Sequence, residues 1–244
     1  MKNEERYKLY YPKRKVNNKQ SKYRPHIISF YQSEKMGVRI GSESTREDTV
    51  YTILEWMSDI VEEYYPQPVD VPVHVYDKEG NLASWIHTPD VLVYVKGTRP
   101  ILFQVKSGTP ELIPLEDIHI YRECAQYAKK EGWAFKVIYP DKMDKTLKDN
   151  IEELAGFAPE HRANTAIAEM LTEALIRNKS MTLDELASIG EPNVNRLDAL
   201  PVIRHELAVR TFYTDLFQPI GPKSEIRLIN ENDCDLFEYL LELD

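Results

Sequence analysis

Polar side chains flank a predicted β-hairpin in the middle of the chain. The segment His87–Asp90 precedes a β-branched and aromatic run, Val91–Val95, and Gln104–Lys106 ends a second such run that begins at Ile101. Glycine and proline between the two runs are typical of a hairpin loop. A carboxylate, a carboxamide and an ammonium group in this arrangement suit metal-dependent hydrolysis of a phosphodiester. That reaction needs oxygen ligands for a hard cation and positive charge at the transition state.

The hairpin register decides which of these side chains face each other. A loop centred on Gly97 places Asp90 opposite Gln104, and a loop centred one residue later places it opposite Lys106. Either register leaves the three side chains on one face, because the side-chain period of a strand is two. Asp90, the carboxamide oxygen of Gln104 and the carbonyl of Val105 are then predicted cation ligands, and Lys106 positions the attacking water or stabilises charge. The alternative is a Thr-Pro-Asp turn followed by an ordinary solvent face.

A second acid lies on a predicted helix upstream. From Glu43 to Met57, apolar residues recur at helical spacing, and Glu47 stands at the head of the apolar stripe. We therefore expect the Glu47 carboxylate to point toward the sheet and to act as a further metal ligand. Ser44 and Glu47 also have the spacing of a capping box, which would engage Glu47 with a backbone amide instead.

The elements around the hairpin predict an α/β domain. Alternating valines predict a strand at Val69–Val75, and an amphipathic pattern predicts a helix over Leu115–Glu131 that Gly132 ends. Ala134–Tyr139 has the composition of a buried strand. Helix, strand, hairpin, helix and strand in this order suit a central mixed sheet with helices on its faces.

The last third of the chain has a different pattern. Helices are predicted at Thr165–Asn178, Thr182–Ile189 and Asn193–Ala208, followed by strands at Thr211–Phe217 and Glu225–Ile229. Three helices followed by a β-ribbon is a winged-helix-like order, which serves DNA or protein contacts. We predict an arm over residues 1–30, an α/β domain over 31–158 and a partner-binding domain with an acidic tail over 159–244.

Charge is distributed unevenly along the 244 residues. The net charge is -9, yet residues 1–24 carry nine Lys or Arg against two Glu, a balance of +7, with four interleaved tyrosines. This composition predicts a DNA-binding arm, and a solubilising tail is the alternative. The residues predicted to contact DNA are Lys13, Arg14, Lys15, Lys19, Lys22 and Arg24. No apolar run is long enough to span a bilayer and no secretory signal is evident, so a cytoplasmic protein without a membrane partner is expected.

Several motifs together resemble the TnsA family, the endonuclease subunits of heteromeric, Tn-seven-like cut-and-paste transposases. The resemblance covers about residues 43 to 140 and rests on Arg46-Glu47-Asp48, Ile53-Leu54-Glu55-Trp56, Gln67-Pro68-Val69, His87-Thr88-Pro89-Asp90 and Gln104-Val105-Lys106. It implies a restriction-endonuclease-like PD-(D/E)xK core. The C-terminal stretches Leu200–Arg204 and Leu216–Ile220 resemble the small domain that follows the nuclease in that family.

The resemblance also implies a function. By position it assigns catalytic roles to Glu47, Asp90, Gln104 and Lys106, with Glu43 as the alternative helix ligand. It implies Mg²⁺, with Mn²⁺ as a substitute, and cleavage of the 5′ strand ends of a transposon. The implied partners are double-stranded DNA at the transposon ends, an integrase-type transposase subunit and an AAA+ regulatory ATPase. A stand-alone nuclease of the same superfold and a non-catalytic DNA-binding adaptor are the alternatives.

Overall fold

The computed structural model of the chain describes residues 3–14, 28–57, 60–76, 80–109, 111, 113–158, 164–230, 233 and 235–243. The chain divides into two compact units, one of Met1–Lys142 with Phe237–Asp244 and the other of Met143–Leu236. The domain bounds expected from the sequence stay a prediction beside this division. In the part of the chain that is described, no helix is both long and apolar enough to cross a membrane.

The first unit contains a mixed sheet, two separate hairpins and helices. Its elements in chain order are α1 (Glu4–Leu9), β1 (Ser29–Ser33), β2 (Val38–Ser42), α2 (Thr45–Trp56), β3 (Val61–Pro66), β4 (Val71–Tyr76), β5 (Leu82–His87), β6 (Val91–Val95), β7 (Ile101–Val105), α3 (Leu115–Lys130) and β8 (Ala134–Ile138). The α/β class is confirmed, since one mixed four-stranded sheet is flanked by helices. The more specific restriction-endonuclease-like core stays a prediction.

The central sheet has the strand order β3-β6-β7-β8. β6 is antiparallel to β3 and β7, and β7 is parallel to β8. Val91 pairs with Phe103, which is the register centred on Gly97, so Asp90 precedes β6 at the level where Gln104 lies on β7. Buried aliphatic side chains fill both faces of β6 and β7, as expected for strands covered on both sides.

The helix predicted over residues 43–57 is confirmed as α2, which ends at Trp56. Residues Val61–Pro66, where no strand was predicted, form β3, an edge strand of the central sheet. Val61, Tyr64 and Tyr65 are buried, without the simple alternation that marks a half-exposed strand. The predicted strand Val69–Val75 corresponds to β4, which pairs with β5 in a two-stranded sheet of its own.

Local sequence explains where α2 begins and where α3 ends. Ser44 caps α2 by accepting a hydrogen bond from the Glu47 N–H at 3.1 Å, and α2 packs against β3. α3 packs against β4 and β8 and places Cys124 and Ala128 in the core. Gly132 follows α3 at φ +78°, a left-handed conformation that glycine adopts without a steric penalty.

The second unit is mainly helical. Its elements are α4 (Lys145–Ala155), α5 (Thr165–Asn178), β9 (Ser180–Thr182), α6 (Leu183–Ser188), α7 (Arg196–Ala208), β10 (Phe212–Tyr213) and β11 (Glu225–Leu228). The last helix of the chain, α8 (Asp235–Leu241), belongs mostly to the first unit. The three predicted helices are confirmed as α5, α6 and α7. The predicted strand Thr211–Phe217 shortens to β10, while α4 and β9 were not expected. β9 adds a third strand to the ribbon, in the order β10-β11-β9, and the winged-helix assignment stays a prediction.

Candidate functional site

Asp90 is held in place by hydrogen bonds to both its side chain and its backbone. It is buried, with 7% of its surface exposed, and its Oδ2 accepts hydrogen bonds from the Val105 N–H at 2.6 Å and from the Gln104 carboxamide. Its own carbonyl accepts from the Gln67 N–H at 2.8 Å and from the Tyr51 hydroxyl at 3.3 Å. These contacts hold Asp90 where β6 begins, so its carboxylate has one defined position.

The electrostatic environment of Asp90 disfavours a bare negative charge. The pKa of Asp90 is raised to about 7. Burial is the main cause and the negative charge of Glu47 adds to it, whereas the Val105 N–H, Arg14 and Lys106 act in the opposite direction. An acid that is half ionised near neutral pH and lies near a second carboxylate is typical of functional sites.

Glu47 lies at the start of α2, where its carboxylate takes part in local hydrogen bonds, and its role as a metal ligand stays a prediction. It is 7% exposed, and its carboxylate accepts from the Glu43 N–H and the Ser44 hydroxyl, each at 3.1 Å. Burial raises the pKa of Glu47, and these two hydrogen bonds oppose that rise. Glu47 is therefore part of the helix start, and it also lies close enough to Asp90 to influence its charge. Glu43, the alternative ligand, forms an ion pair with Arg14 at 2.6 Å.

Gln104 connects Asp90 with a histidine that the sequence analysis left out of the site. The Gln104 carboxamide nitrogen donates to Asp90, and its Oε1 lies 2.6 Å from Nε2 of His87. Burial lowers the pKa of His87, the Gln104 contact raises it, and the charge of Lys106 lowers it again. The net decrease leaves a neutral imidazole at pH 7. In this arrangement the carboxamide oxygen predicted as a metal ligand faces His87.

Lys106 is held by an acid on the next helix. Its Nζ lies 2.6 Å from Oδ1 of Asp117 and 5.8 Å from the centre of the Tyr121 ring. Its backbone N–H donates to the Ile138 carbonyl at 2.9 Å, which continues the pairing of β7 with β8. No sequence pattern distinguished Asp117 as a site residue, since an acid in the first turn of a helix is also expected from the helix dipole alone.

Part of the N-terminal segment packs against the rest of the first unit. Residues Glu4–Leu9 form α1, although no helical period was recognised there, and Arg6 forms an ion pair with the buried Glu63 at 2.8 Å. The Tyr10 ring contacts Tyr65 and Trp133, with centroids 5.3 and 5.8 Å away. The start of the predicted arm is thus attached by specific contacts.

Two of the six predicted DNA-binding residues are described by the structure. The Lys13 N–H donates to the Gln67 carbonyl at 2.9 Å and its Nζ to the Leu9 carbonyl at 3.1 Å. The Arg14 guanidinium is 46% exposed, and its charge lowers the pKa of Glu47 as well as that of Asp90. The other four, Lys15, Lys19, Lys22 and Arg24, lie outside the described residues.

A hard cation such as Mg²⁺ requires oxygen ligands, and the predicted ligands are of this kind. In the described part of the chain, no group of three or more His, Cys, Asp or Glu side chains could hold a metal ion. The predicted set has two carboxylates, Glu47 and Asp90, supplemented by a carboxamide and a backbone carbonyl. Oxygen donors of this kind suit Mg²⁺, which usually takes only one or two carboxylates and keeps several waters. The Val105 group that contacts Asp90 is its N–H.

Comparison with known proteins adds no assignment. No protein-family model matches the chain, and a search of curated proteins found no significant match. The resemblance to the TnsA family therefore rests on the motifs described above.

Proposed function

We propose that this protein is a divalent-cation-dependent DNA endonuclease whose active site contains Glu47, Asp90, Gln104 and Lys106. One observation carries the proposal. The hairpin register brings Gln104 to Asp90, and the charges of Glu47 and Lys106 both act on the same buried carboxyl group. Two acids, an amide and a lysine around one point are the groups that metal-assisted phosphodiester hydrolysis uses.

In this proposal Asp90 and Glu47 hold Mg²⁺ or Mn²⁺, together with the Gln104 amide oxygen and the Val105 carbonyl. When bound, the cation supplies a water of lowered pKa and neutralises charge on the scissile phosphate. In the structure the Gln104 amide oxygen faces His87 and the nitrogen faces Asp90. To present its oxygen to the cation, the amide must turn over, and its nitrogen then faces His87. A neutral imidazole protonated on Nδ1 accepts a hydrogen bond at Nε2 from the amide nitrogen.

Lys106 acts on the reacting groups directly. Its ammonium group donates to the attacking water or to a non-bridging phosphate oxygen, where negative charge develops. The ion pair with Asp117 limits the positions available to Nζ, and the strand pairing of Lys106 limits those of its backbone. Asp117 is therefore a positioning residue. Lysine donates protons but offers no lone pair when charged, so it is not a metal ligand.

The finer proposal is a cytoplasmic transposase subunit that cleaves the 5′ ends of a transposon, together with an integrase-type subunit and an AAA+ ATPase. The motif resemblance supports this version. The acidic C-terminal segment buries the apolar side chains of Leu236, Phe237 and Leu240, and its exposed Glu238 and Glu242 would be available for protein contacts. A stand-alone nuclease is the second candidate, and nicking of plasmid DNA without any partner protein would favour it.

Calorimetric titration of Mn²⁺ tests the metal site, with Ca²⁺ as a cation that does not support catalysis. We expect binding to the wild type, loss of binding in Asp90→Ala, and unchanged binding in Asp149→Ala, which removes an exposed carboxylate of the second unit. Plasmid nicking, with the partner subunits if needed, should be lost in Asp90→Ala with the fold intact. Mn²⁺ binding and nicking that both persist in Asp90→Ala would exclude this active site.

A further inference from the structure

A cavity with a volume of about 480 Å³ opens beside the candidate active site, and all of its lining residues belong to the first unit. This volume lies in the range of small-molecule sites, about 300–1,000 Å³. One hydrogen bond and one electrostatic interaction connect its wall to the active site. The Gln67 N–H donates to the Asp90 carbonyl, and the Arg14 charge acts on the Asp90 carboxyl group. A ligand in the cavity would therefore lie next to the reacting groups.

Gln67 is an unusual residue in that wall. Its side chain is 1% exposed, and among the described residues neither its amide nitrogen nor its amide oxygen has a hydrogen-bond partner. Its backbone has φ +48°, a left-handed conformation that non-glycine residues rarely adopt. Leaving both buried amide atoms unsatisfied is unfavourable. Both atoms have almost no accessible surface, so a ligand that supplies one donor and one acceptor would satisfy them once neighbouring side chains of the wall move aside.

The other walls of the cavity offer aromatic faces and positive charge. The rings of Tyr11 and Phe30 are 60% and 48% exposed, so each has a face on which a planar ligand can stack. Arg14 and Arg39 line the same cavity. Arg39 lies over the Phe30 ring at 4.6 Å, and Arg14 is 46% exposed. Stacking surfaces combined with arginines are typical of sites that bind single-stranded nucleic acid.

These features fit a nucleobase better than another planar ligand. Every nucleobase has a donor beside an acceptor on its Watson–Crick edge, which matches the two amide atoms of glutamine. That edge is free only when the base is unpaired, and enzymes that bind extruded bases recognise them by this edge and by stacking. The cations at the rim can contact the phosphates on either side of the base.

We propose that this cavity binds an unpaired nucleobase of the DNA strand, with Gln67 pairing to its Watson–Crick edge and Tyr11 or Phe30 stacking on its face. Its place next to the scissile phosphate rests on the proposed nuclease function. The base-binding property itself needs no metal and no cleavage. Separation of the two DNA strands at the cleavage site would then be part of how the protein engages its substrate.

The test is binding of a short oligothymidine that carries one 2-aminopurine, measured in EDTA with the full chain. Stacking on an aromatic ring quenches 2-aminopurine, so fluorescence reports occupation of the cavity. We expect the single strand to bind with quenching, and we expect weaker binding by the annealed duplex and by a strand that is abasic at every position. Gln67→Met keeps the shape of the side chain and removes both polar atoms. It should weaken single-strand binding about tenfold, the value of one or two hydrogen bonds.

Three controls make the result decisive. Gln126→Met changes an exposed glutamine of α3 and should leave binding unchanged. Gln67→Met should unfold at the wild-type temperature or higher, because it removes unsatisfied buried atoms, so a loss of binding is not a loss of fold. Tyr11→Ala, at an exposed ring, should reduce the quenching. Equal binding by Gln67→Met and wild type, or equal affinity for the strand that is abasic at every position, would overturn the inference while leaving the nuclease proposal intact. Base-dependent binding without any metal-dependent cleavage would retain the inference and remove its connection to catalysis.

Discussion

The Nε2 atom of His87 lies 2.6 Å from the amide oxygen of Gln104. His87 ends β5 in one two-stranded sheet, and Gln104 lies on β7 in the central sheet, so the contact joins two sheets at the candidate active site. A partner that orients a metal-binding side chain fixes which atom faces the cation.

His87→Ala is expected to weaken Mn²⁺ binding about 10- to 100-fold, the usual effect of removing an outer partner of a ligand. Gln104 would lose the group that orients its amide, while both carboxylates remain. His74→Ala, at an exposed position of β4, is the matched control and should bind like the wild type. Calorimetry measures both, and equal affinity of His87→Ala and wild type would exclude the orienting role.

Asp90 should make the metal-free protein less stable as the pH rises. Its pKa is raised from the ordinary value of 3.8 to about 7, so the folded state binds the proton more tightly than the unfolded state. The contribution of Asp90 to the free energy of unfolding is therefore largest below pH 3.8. It decreases as the pH rises toward 7 and stays constant at higher pH.

Asp90→Asn keeps a hydrogen-bond acceptor and removes this titration. In EDTA at pH 8 the variant should unfold at a higher temperature than wild type, and the difference should shrink to nothing near pH 4, measured by thermal denaturation. Mn²⁺ should raise the unfolding temperature of wild type only. A difference that does not change with pH would show that Asp90 is not titrating in this range.

Lys106→Ala should slow cleavage about 100-fold or more, since removal of a preorganised donor at the developing charge has effects of this size. Mn²⁺ affinity should be unchanged. Asp117→Asn should reduce the rate by a smaller factor, because it frees the ammonium group without deleting it. Lys129→Ala, an exposed lysine of the same helix, serves as control. Single-turnover cleavage gives the rates, and a loss of metal affinity in Lys106→Ala would contradict its assigned role.

Arg14→Ala should weaken DNA binding and lower the slope of log affinity against log salt by about 1, the contribution of one phosphate contact. Stability should change little, because an exposed ion pair such as the one with Glu43 contributes about 0–1 kcal/mol. Arg177→Ala removes a comparable exposed pair in the second unit. Its binding should match wild type at every salt concentration, and an unchanged slope in Arg14→Ala would remove Arg14 from the DNA contact.

Arg6→Ala should destabilise the protein by on the order of 2 kcal/mol, because a buried charge loses a partner. Burial raises the pKa of Glu63, but Arg6, the Asn3 N–H and Tyr65 together hold it below its usual range. Arg6→Ala combined with Glu63→Gln should recover part of the loss, since the neutral amide needs no counter-charge. Urea denaturation measures all three proteins, and an unaffected single variant would indicate that α1 does not stabilise the first unit.

Much of the local structure follows from sequence patterns. Runs of β-branched and aromatic residues with turn residues between them located β6 and β7, and helical spacing with a terminal glycine located α3, because both signals lie within a few residues of the element that they specify. The hairpin geometry also limited Asp90 to facing Gln104 or Lys106. Between these two registers the loop residues did not decide, and the strand pairing in the sheet did.

The remaining features depend on contacts between distant parts of the chain. The packing of α2 and α3 on the sheet decides which glutamate acts on Asp90 and which acid holds Lys106. The contact with Gln104 decides where His87 lies. Gln67 looks like an ordinary loop residue in the sequence, and only its burial without a partner distinguishes it. Periodicity specifies a face of an element, whereas a site is made where faces of several elements meet. The sequence by itself therefore determined the elements with a strong local pattern and the types of groups available, and the tertiary structure decided the remaining elements and which groups share a site.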